Sequence, residues 1–439
     1  MLGEFITANN IAISFALLIV AYFFIATEKI PKVTVALLGG AITVFLGLVS
    51  QSKMNGDLIN PHYFVNFVDF NVIFLLVSIM IIVNISTKSG VFNWIANELL
   101  KLTKGHPILI LITLGVFTAV VSAFLDNVTT VILIMPVTFF IAKKLEINPI
   151  PFLLTEVFAS NIGGTATLIG DPPNIIIGSA AGFSFMDFVV NLTPAIAVIL
   201  FAVTAVLAFI FKNKLKTTKE KMQEVANIDN SRTITDKNLM IRSMIVLALV
   251  ILGFVTHDIT HVETCIVAML GASVLLLFEK PTEILRDVEW NTIFFFVGLF
   301  IIIGGVEASG GIKLMAQWIL DVTKGSQEMA SMLILWASGI ISGIIDNIPY
   351  TATMSPMLVE IEKTMGAQYA VPLWWCLSLG ACLGGNMTMI GAAANVIVSE
   401  NSAKEGHPIN FIEFMKYGVL VVAISLTISS VYVYFKYLN

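Results

Sequence analysis

Charge is what this sequence has least of. Asp, Glu, Lys and Arg make up 12% of the 439 residues, against about a quarter in an average soluble domain. The deficit falls in long runs: 5–27, 33–52, 70–87, 188–211 and 417–435 contain none of the four. Each run is near the roughly 20 apolar residues that cross a bilayer core as a helix. So many in succession exclude a soluble fold and predict an all-α polytopic membrane protein. A basic excess is also missing. The net charge of −5 excludes a nucleic-acid partner, which needs a basic patch. Cysteine is scarce, and Cys265, Cys376 and Cys382 lie in apolar stretches without metal-ligand spacing, as packing residues do. The start, Met-Leu-Gly-Glu, has an acidic flank and no small-residue cleavage pattern, so the first segment reads as a retained helix and not a signal peptide.

What is present is a duplication. Apolar crossings are expected near 10–27, 33–50 and 70–87, then paired halves at 107–125 and 131–142, an interrupted segment at 151–183 and a crossing at 188–211. The pattern returns as 241–256, 262–278 and 291–307, halves at 329–345 and 348–359, an interrupted segment at 371–399 and a crossing at 417–435. Asn71, Ser89-Gly90, Asp126-Asn127 and Pro136 match Asn291, Ser309-Gly310, Asp346-Asn347 and Pro356 at an offset of 220. Gly163-Gly164, Thr167, Ile169-Gly170 and Asn174 match Gly384-Gly385, Thr388, Ile390-Gly391 and Asn395 at 221. Polar and glycine landmarks recurring in order mark an internal repeat.

Five crossings plus a re-entrant hairpin that does not cross place the polar linker 212–240 with residues 28–32, 88–106, 143–144, 279–289 and 400–416. That side collects all of the 24 Lys and Arg except Lys53, Lys313, Lys324, Lys363 and Lys436. The basic side is cytoplasmic, which puts both termini outside a cell (inner) membrane. An odd number of crossings inverts the second repeat, as in alternating-access carriers with a midplane site.

Four acids fall inside apolar stretches: Asp126, Glu156, Asp171 and Asp346. A charge at membrane depth costs about 2.5–3.5 kcal/mol on insertion scales. Asp126-Asn127 and Asp346-Asn347 sit in the hairpin turns, where half-helix ends bind ions; capping of the outgoing half-helix is the plainer reading, and the two are compatible. In Asn161-Ile-Gly-Gly-Thr-Ala-Thr-Leu-Ile-Gly-Asp-Pro-Pro-Asn174 the glycines and prolines break the helix and free backbone groups. Its partner keeps Gly384-Gly385 but lacks the Asp and both prolines, so the half-sites are unequal; close packing is the alternative for each Gly pair. Glu156 pairs with Leu377 across the repeat and reads as a proton carrier or as a partner for a polar group. Glu307 and the loop holding His257, Asp258, His261 and Glu263 read as interfacial, and Phe294-Phe295-Phe296 as lipid-facing or core packing.

The hairpin-tip Asp-Asn pairs and the Gly-Gly-Thr-x-Thr-x-Ile-Gly-Asp-Pro-Pro-Asn stretch resemble the ion transporter superfamily, nearest its arsenite-permease and sodium–proton antiporter branch, which also holds the P protein, with a citrate-transporter-like domain. The resemblance implies a dimerising scaffold (1–104 and 241–308) and a moving transport domain that works as an elevator. The latter comprises hairpins 105–144 and 327–361 with broken helices 151–183 and 371–402, flanked by crossings 188–211 and 412–436. The implied site joins Asp126, Asn127, Thr129 and Thr130 with Asn161, Gly163, Gly164, Thr165, Thr167, Asp171 and Asn174. From the second repeat it takes Asp346, Asn347, Thr351, Gly384, Gly385, Asn386, Thr388 and Asn395. Related dicarboxylate carriers have Ser-Asn-Thr at both tips; here Asp replaces the Ser, and two carboxylates repel a di- or tricarboxylate unless it is protonated or cation-bridged. A cation, a proton or a neutral species such as arsenous acid suits the site better. The expectation is an H⁺- or Na⁺-coupled antiporter or exporter with no other cofactor and no enzymatic activity, Asp126, Asp346, Asp171 and Glu156 being its proton-carrier candidates. Organic anion uptake is the alternative cargo. A channel and an intramembrane aspartyl protease are rivals from other classes, the latter without its Gly-x-Gly-Asp signature.

Overall fold

The computed structural model describes residues 6, 8–27, 29–49, 64–226, 230 and 233–439. Lys53 and the end of the expected crossing at 33–50 lie outside them. Among the described residues there are helices and no strands, and seven helices are long and apolar enough to cross a membrane.

The first repeat contains α1 (Asn10–Thr27), α2 (Lys32–Phe45), α3 (Phe70–Lys88), α4 (Val91–Leu102), α5 (Pro107–Ser122), α6 (Asn127–Leu145), α7 (Ile150–Gly164), α8 (Pro172–Ala181) and α9 (Phe185–Phe211). Linker helix α10 (Lys219–Ala226) follows. The second repeat contains α11 (Lys237–Val255), α12 (Thr264–Leu276), α13 (Trp290–Ala308), α14 (Gly311–Val322), α15 (Gln327–Ser342), α16 (Asn347–Met365), α17 (Ala367–Gly384), α18 (Ala393–Lys404) and α19 (Phe411–Val433). The order α1–α9 thus recurs as α11–α19. Local geometry recurs with it: Gly90 and Gly310, and Gly105 and Gly325, hold positive φ at matching places.

Three boundaries differ from the sequence reading. The outgoing hairpin helices begin at their turns and run through Pro136 and Pro356; a mid-helix proline is tolerated in a membrane helix where surrounding groups satisfy the carbonyl it frees. Helix α17 starts at Ala367, before Pro372, because Gly366 at φ 90° ends α16. Pro372 lies inside the helix and deprives the Gln368 carbonyl of its helical donor, and Gln327 Nε2 donates to that carbonyl at 3.0 Å. Helices α4 and α14, which no expected crossing covers, are amphipathic: Val91, Phe92, Ala96 and Leu100 face inward in one, Gly311, Ile312, Ala316, Ile319 and Leu320 in the other. The Phe run divides, with Phe294 exposed and Phe295 and Phe296 buried.

Packing exchanges elements between repeats. Helix α2 packs on α13, and its counterpart α12 packs on α3. At the first crossing the backbones nearly touch: a methyl group on Gly40 would lie 3.1 Å from the Gly298 carbonyl oxygen, and one on Gly298 would collide with the Ala36 backbone. Without a hydrophobic drive between helices in lipid, such small-residue contacts supply the association. The hairpins and broken helices form a second group, α5 on α7 and α15 on α17. Here too there is exchange, since α16 packs on α8 and α6 on α18.

Candidate functional site

The site is built where helices stop. Asp126 caps α6: its Oδ1 accepts from the Thr129 amide at 2.9 Å and its Oδ2 from the Thr129 hydroxyl at 2.6 Å. Asp346 caps α16 through the Ile348 amide at 3.0 Å, and its Oδ2 lies 2.6 Å from Lys32 Nζ. The capping reading therefore holds at both turns. It leaves each carboxylate at a helix N-terminus, where the dipole stabilises negative charge.

The two breaks are pinned alike. Asn174 Nδ2 donates to the carbonyls of Thr165 (3.0 Å) and Thr167 (2.8 Å), and Asn395 Nδ2 to those of Gly385 (2.8 Å) and Thr388 (2.9 Å). Thr167 and Thr388 donate their hydroxyls to Ala123 O and Gly343 O in the adjoining hairpin turns. Carbonyls freed by unwinding are thus satisfied inside the protein, as depth in a membrane demands. The glycines make the turns compact: a methyl on Gly170 would lie 2.6 Å from the carbonyl oxygens of Gly164 and Ser122, and one on Gly164 would lie 2.5 Å from Asn127 Oδ1. Gly163 and Gly384 sit against the Ala119 and Gly339 backbones of α5 and α15, so their contribution is close helix packing.

Contacts then cross between repeats. Asn161 Nδ2 donates to Asn386 Oδ1 at 2.8 Å and Asn395 Oδ1 at 3.0 Å. Ser378 donates to Asn174 Oδ1 at 2.6 Å. Asn347 Nδ2 stands 3.4 Å from Asp171 Oδ2. The buried hydroxyls of Thr130 and Thr351, and Asn161 Oδ1, find no hydrogen-bond partner, whereas the Thr165 hydroxyl bonds Asn161 O.

A cavity of about 310 Å³ lies at this junction. Asp126, Asn127, Asp171 and Asn347 line it together with Pro172, Ile348, Ala392 and Ala393. Its opposite wall is Leu76 and Met80 of α3 with Glu289, Asn291 and Thr292 at the start of α13. Five helix N-termini therefore meet here, those of α6, α8, α13, α16 and α18. Four carry an acid at the N-cap position (Asp126, Asp171, Glu289, Asp346), of which Asp126 and Asp346 accept capping hydrogen bonds, and the fifth, α18, has Ala392 there, with no side chain able to cap. No Lys, Arg or His lines the cavity. Each N-terminus is worth about half a positive charge, screened within a turn, so the carboxylates outweigh the dipoles.

Of the expected residues, Asp346 is not among the lining; it is paired with Lys32. Thr129 lines an adjoining cavity of about 350 Å³ that shares Met80 and Glu289 with the first and reaches Thr87, Asn93 and Asp287. There the Lys88 ammonium, 2.8 Å away, holds the Asp287 carboxyl below the usual carboxylate range. Glu156 lies apart from both cavities, buried between α7 and α6, where it accepts from the Thr138 hydroxyl at 2.5 Å. Glu289 and Lys32 were missed by sequence reasoning because both read as loop charges, although Asn291 already stood among the repeat landmarks. No group of His, Cys, Asp and Glu able to hold a metal ion occurs among the described residues.

Comparison with known proteins agrees with this architecture. The chain is 41% identical over 428 residues, 97% of its length, to an uncharacterized transporter of Mycobacterium tuberculosis, covering 98% of that protein. It is 28% identical over 511 aligned positions to the P protein of Mus musculus, spanning 98% of this chain and 61% of that one. The YdaH transporter of Alcanivorax borkumensis superposes with a TM-score of 0.57 at 13% identity, over 92% of this chain and 96% of the other, and so shares the fold. The sequence pattern described as "Citrate transporter" matches residues 22–380. With most of its length inside that pattern, and with inverted, exchanged repeats around a cavity lined by carboxylates, this multi-pass membrane protein belongs to the citrate transporter family within the ion transporter superfamily.

Proposed function

We propose that the chain is a proton- or sodium-coupled secondary transporter of a small inorganic ion or neutral oxyacid, working by antiport or efflux, with Na⁺/H⁺ exchange and arsenite or antimonite export as the leading cargoes. The observation that carries this reading is the cavity lined by Asp126, Asp171 and Glu289 and by no basic side chain. Carboxylates without a neighbouring cation at this depth hold a proton or coordinate a cation, and they repel a free tricarboxylate. The group formed by hairpins and broken helices is the moving transport domain, and α1–α4 with α11–α13 form the scaffold, which dimerises. The second cavity, extending to Thr87, Asn93 and Asp287, lies toward the Lys- and Arg-rich side. That side is cytoplasmic, and the site faces inward with both termini outside an inner membrane.

The test is flux in proteoliposomes carrying a pH-sensitive dye, with Na⁺, Li⁺, arsenite and citrate titrated at two pH values. Cation- or arsenite-dependent proton movement, lost in Asp126→Asn and Asp171→Asn, is expected. Saturable citrate uptake that survives both substitutions overturns it. Such uptake would establish an organic anion carrier, the second reading, favoured by the family pattern and by the uncapped N-terminus of α18 at Ala392. Uncoupled, non-saturating flux would mark a channel.

A further inference from the structure

The two half-sites are unequal in a way the repeat does not require. Asp126 and Asp346 occupy equivalent turns, yet among the described residues only Asp346 has a cation. Lys32 Nζ lies 2.6 Å from its Oδ2, with the lysine side chain 24% exposed and the aspartate 4%. The lysine opens α2 and the aspartate caps α16, so the ion pair joins the two packing groups. The same corner makes a second contact: the Tyr22 hydroxyl of α1 bonds Pro349 O and Thr353 Oγ1 in the first turns of α16. Repeat two has no counterpart for Lys32. Helix α12, the equivalent of α2, opens at Thr264 after Glu263, and residues 243–279 contain no Lys or Arg. Asp126 instead shares the cavity wall with Glu289.

We infer that Lys32 is a built-in counter-ion that holds Asp346 in the facing state seen here and must release it before the site can face the opposite side, so that Lys32 sets the resting orientation of the carrier. A half-buried pair gains more from its Coulomb attraction than a surface pair does, and removing one partner leaves a charge with poor solvation. In the opposite state Asp126 has no lysine to meet on α12, so nothing of the same kind offsets the loss. The pair thus favours one state over the other. It also withdraws Asp346 from cargo in this state, leaving Asp126 and Asp171 to bind it. The inference rests on the moving-carrier reading above.

Spin labels at Phe45, exposed at the end of α2, and at Met365, exposed at the end of α16, report the separation of the two groups by pulsed dipolar spectroscopy of the full-length protein in nanodiscs. Wild type should give two separations dominated by one. Lys32→Met should lower the ratio of dominant to minor population at least tenfold, Lys32→Arg should keep it within about twofold, and the exchange Lys32→Asp with Asp346→Lys should restore it. Two populations whose ratio ignores Lys32→Met overturn the counter-ion while leaving the carrier standing. A single separation in wild type and all variants overturns both. If Lys32→Met does not fold, the exchanged pair decides: a restored ratio supports the inference and an unrestored one overturns it.

Discussion

Asn161 of the first broken helix donates to Asn395 of the second at 3.0 Å, and Asn395 in turn donates to two carbonyls of its own break. One amide therefore joins the two repeats and closes the gap left by an unwound turn. Removing it orphans several buried groups at once. Asn395→Ala should lower stability by about 1–3 kcal/mol per unpaired group, seen as a fall in thermal unfolding temperature in detergent. Asn161→Ala combined with it should cost less than the sum of the two single changes, since they share a network. Full additivity would remove the amide from its bridging role.

Asp126 caps α6 and lines the cavity, and the two roles separate experimentally. Asparagine caps a helix about as well as aspartate, so Asp126→Asn should leave expression and unfolding temperature unchanged while coupled flux falls to the level of protein-free vesicles. Wild-type flux in this variant would confine Asp126 to capping.

Glu289 shares the cavity wall with Asp126 and should contribute to cation affinity. Glu289→Gln removes the charge but keeps the shape and the Thr292 hydroxyl contact. The apparent cation affinity should weaken about tenfold, the equivalent of one charge-assisted contact of roughly 1.5 kcal/mol. Flux titrations against Na⁺ and Li⁺ measure it, and an unchanged midpoint would make Glu289 a bystander.

Glu156 accepts one hydroxyl and lies away from the cavities. Glu156→Gln keeps an acceptor for Thr138, so stability should hold, whereas Glu156→Leu strands the hydroxyl at a cost of about 1–3 kcal/mol. A proton carrier at this position further requires that Glu156→Gln flatten the dependence of flux on pH. An unaltered profile would leave Glu156 as the partner of Thr138.

Gly170 tests the tightness of the first break. With neighbouring carbonyl oxygens 2.6 Å from where a methyl would sit, Gly170→Ala should cost about 1–3 kcal/mol of overpacking strain and displace Asp171, the next residue. Lost flux with a lowered unfolding temperature is expected, and a stable, fully active variant would show that the turn yields.

Much of this was legible in the sequence because the marks are local. Long apolar runs fix the crossings, and Gly163-Gly164 followed closely by Pro172-Pro173 fixes the first break, whereas the single Pro136 and Pro356 stay inside their helices. The matched landmarks at 220 and 221 carried the duplication, and the odd number of crossings its inversion. Helices α4 and α14 escaped because they are short and half polar, although Val91, Phe92, Ala96 and Leu100 already keep to one face. The partner of Asp346 could not be read at all. Lys32 lies 314 positions away, and no local rule relates a helix-opening lysine in one repeat to a hairpin cap in the other. Glu289 was hidden for the same reason, as its neighbours across the cavity come from four other stretches of chain.

The crossing of α2 with α13 has a consequence for how the chain can be divided. Each repeat supplies a helix whose apolar partner belongs to its sister, and Gly298 meets the Ala36 backbone too closely for a larger side chain to stand in without a shift. Neither half covers its own apolar helix faces, so each is expected to need the other. Cut within 212–240 and made as two polypeptides, the halves should be degraded singly and recovered only when synthesised together.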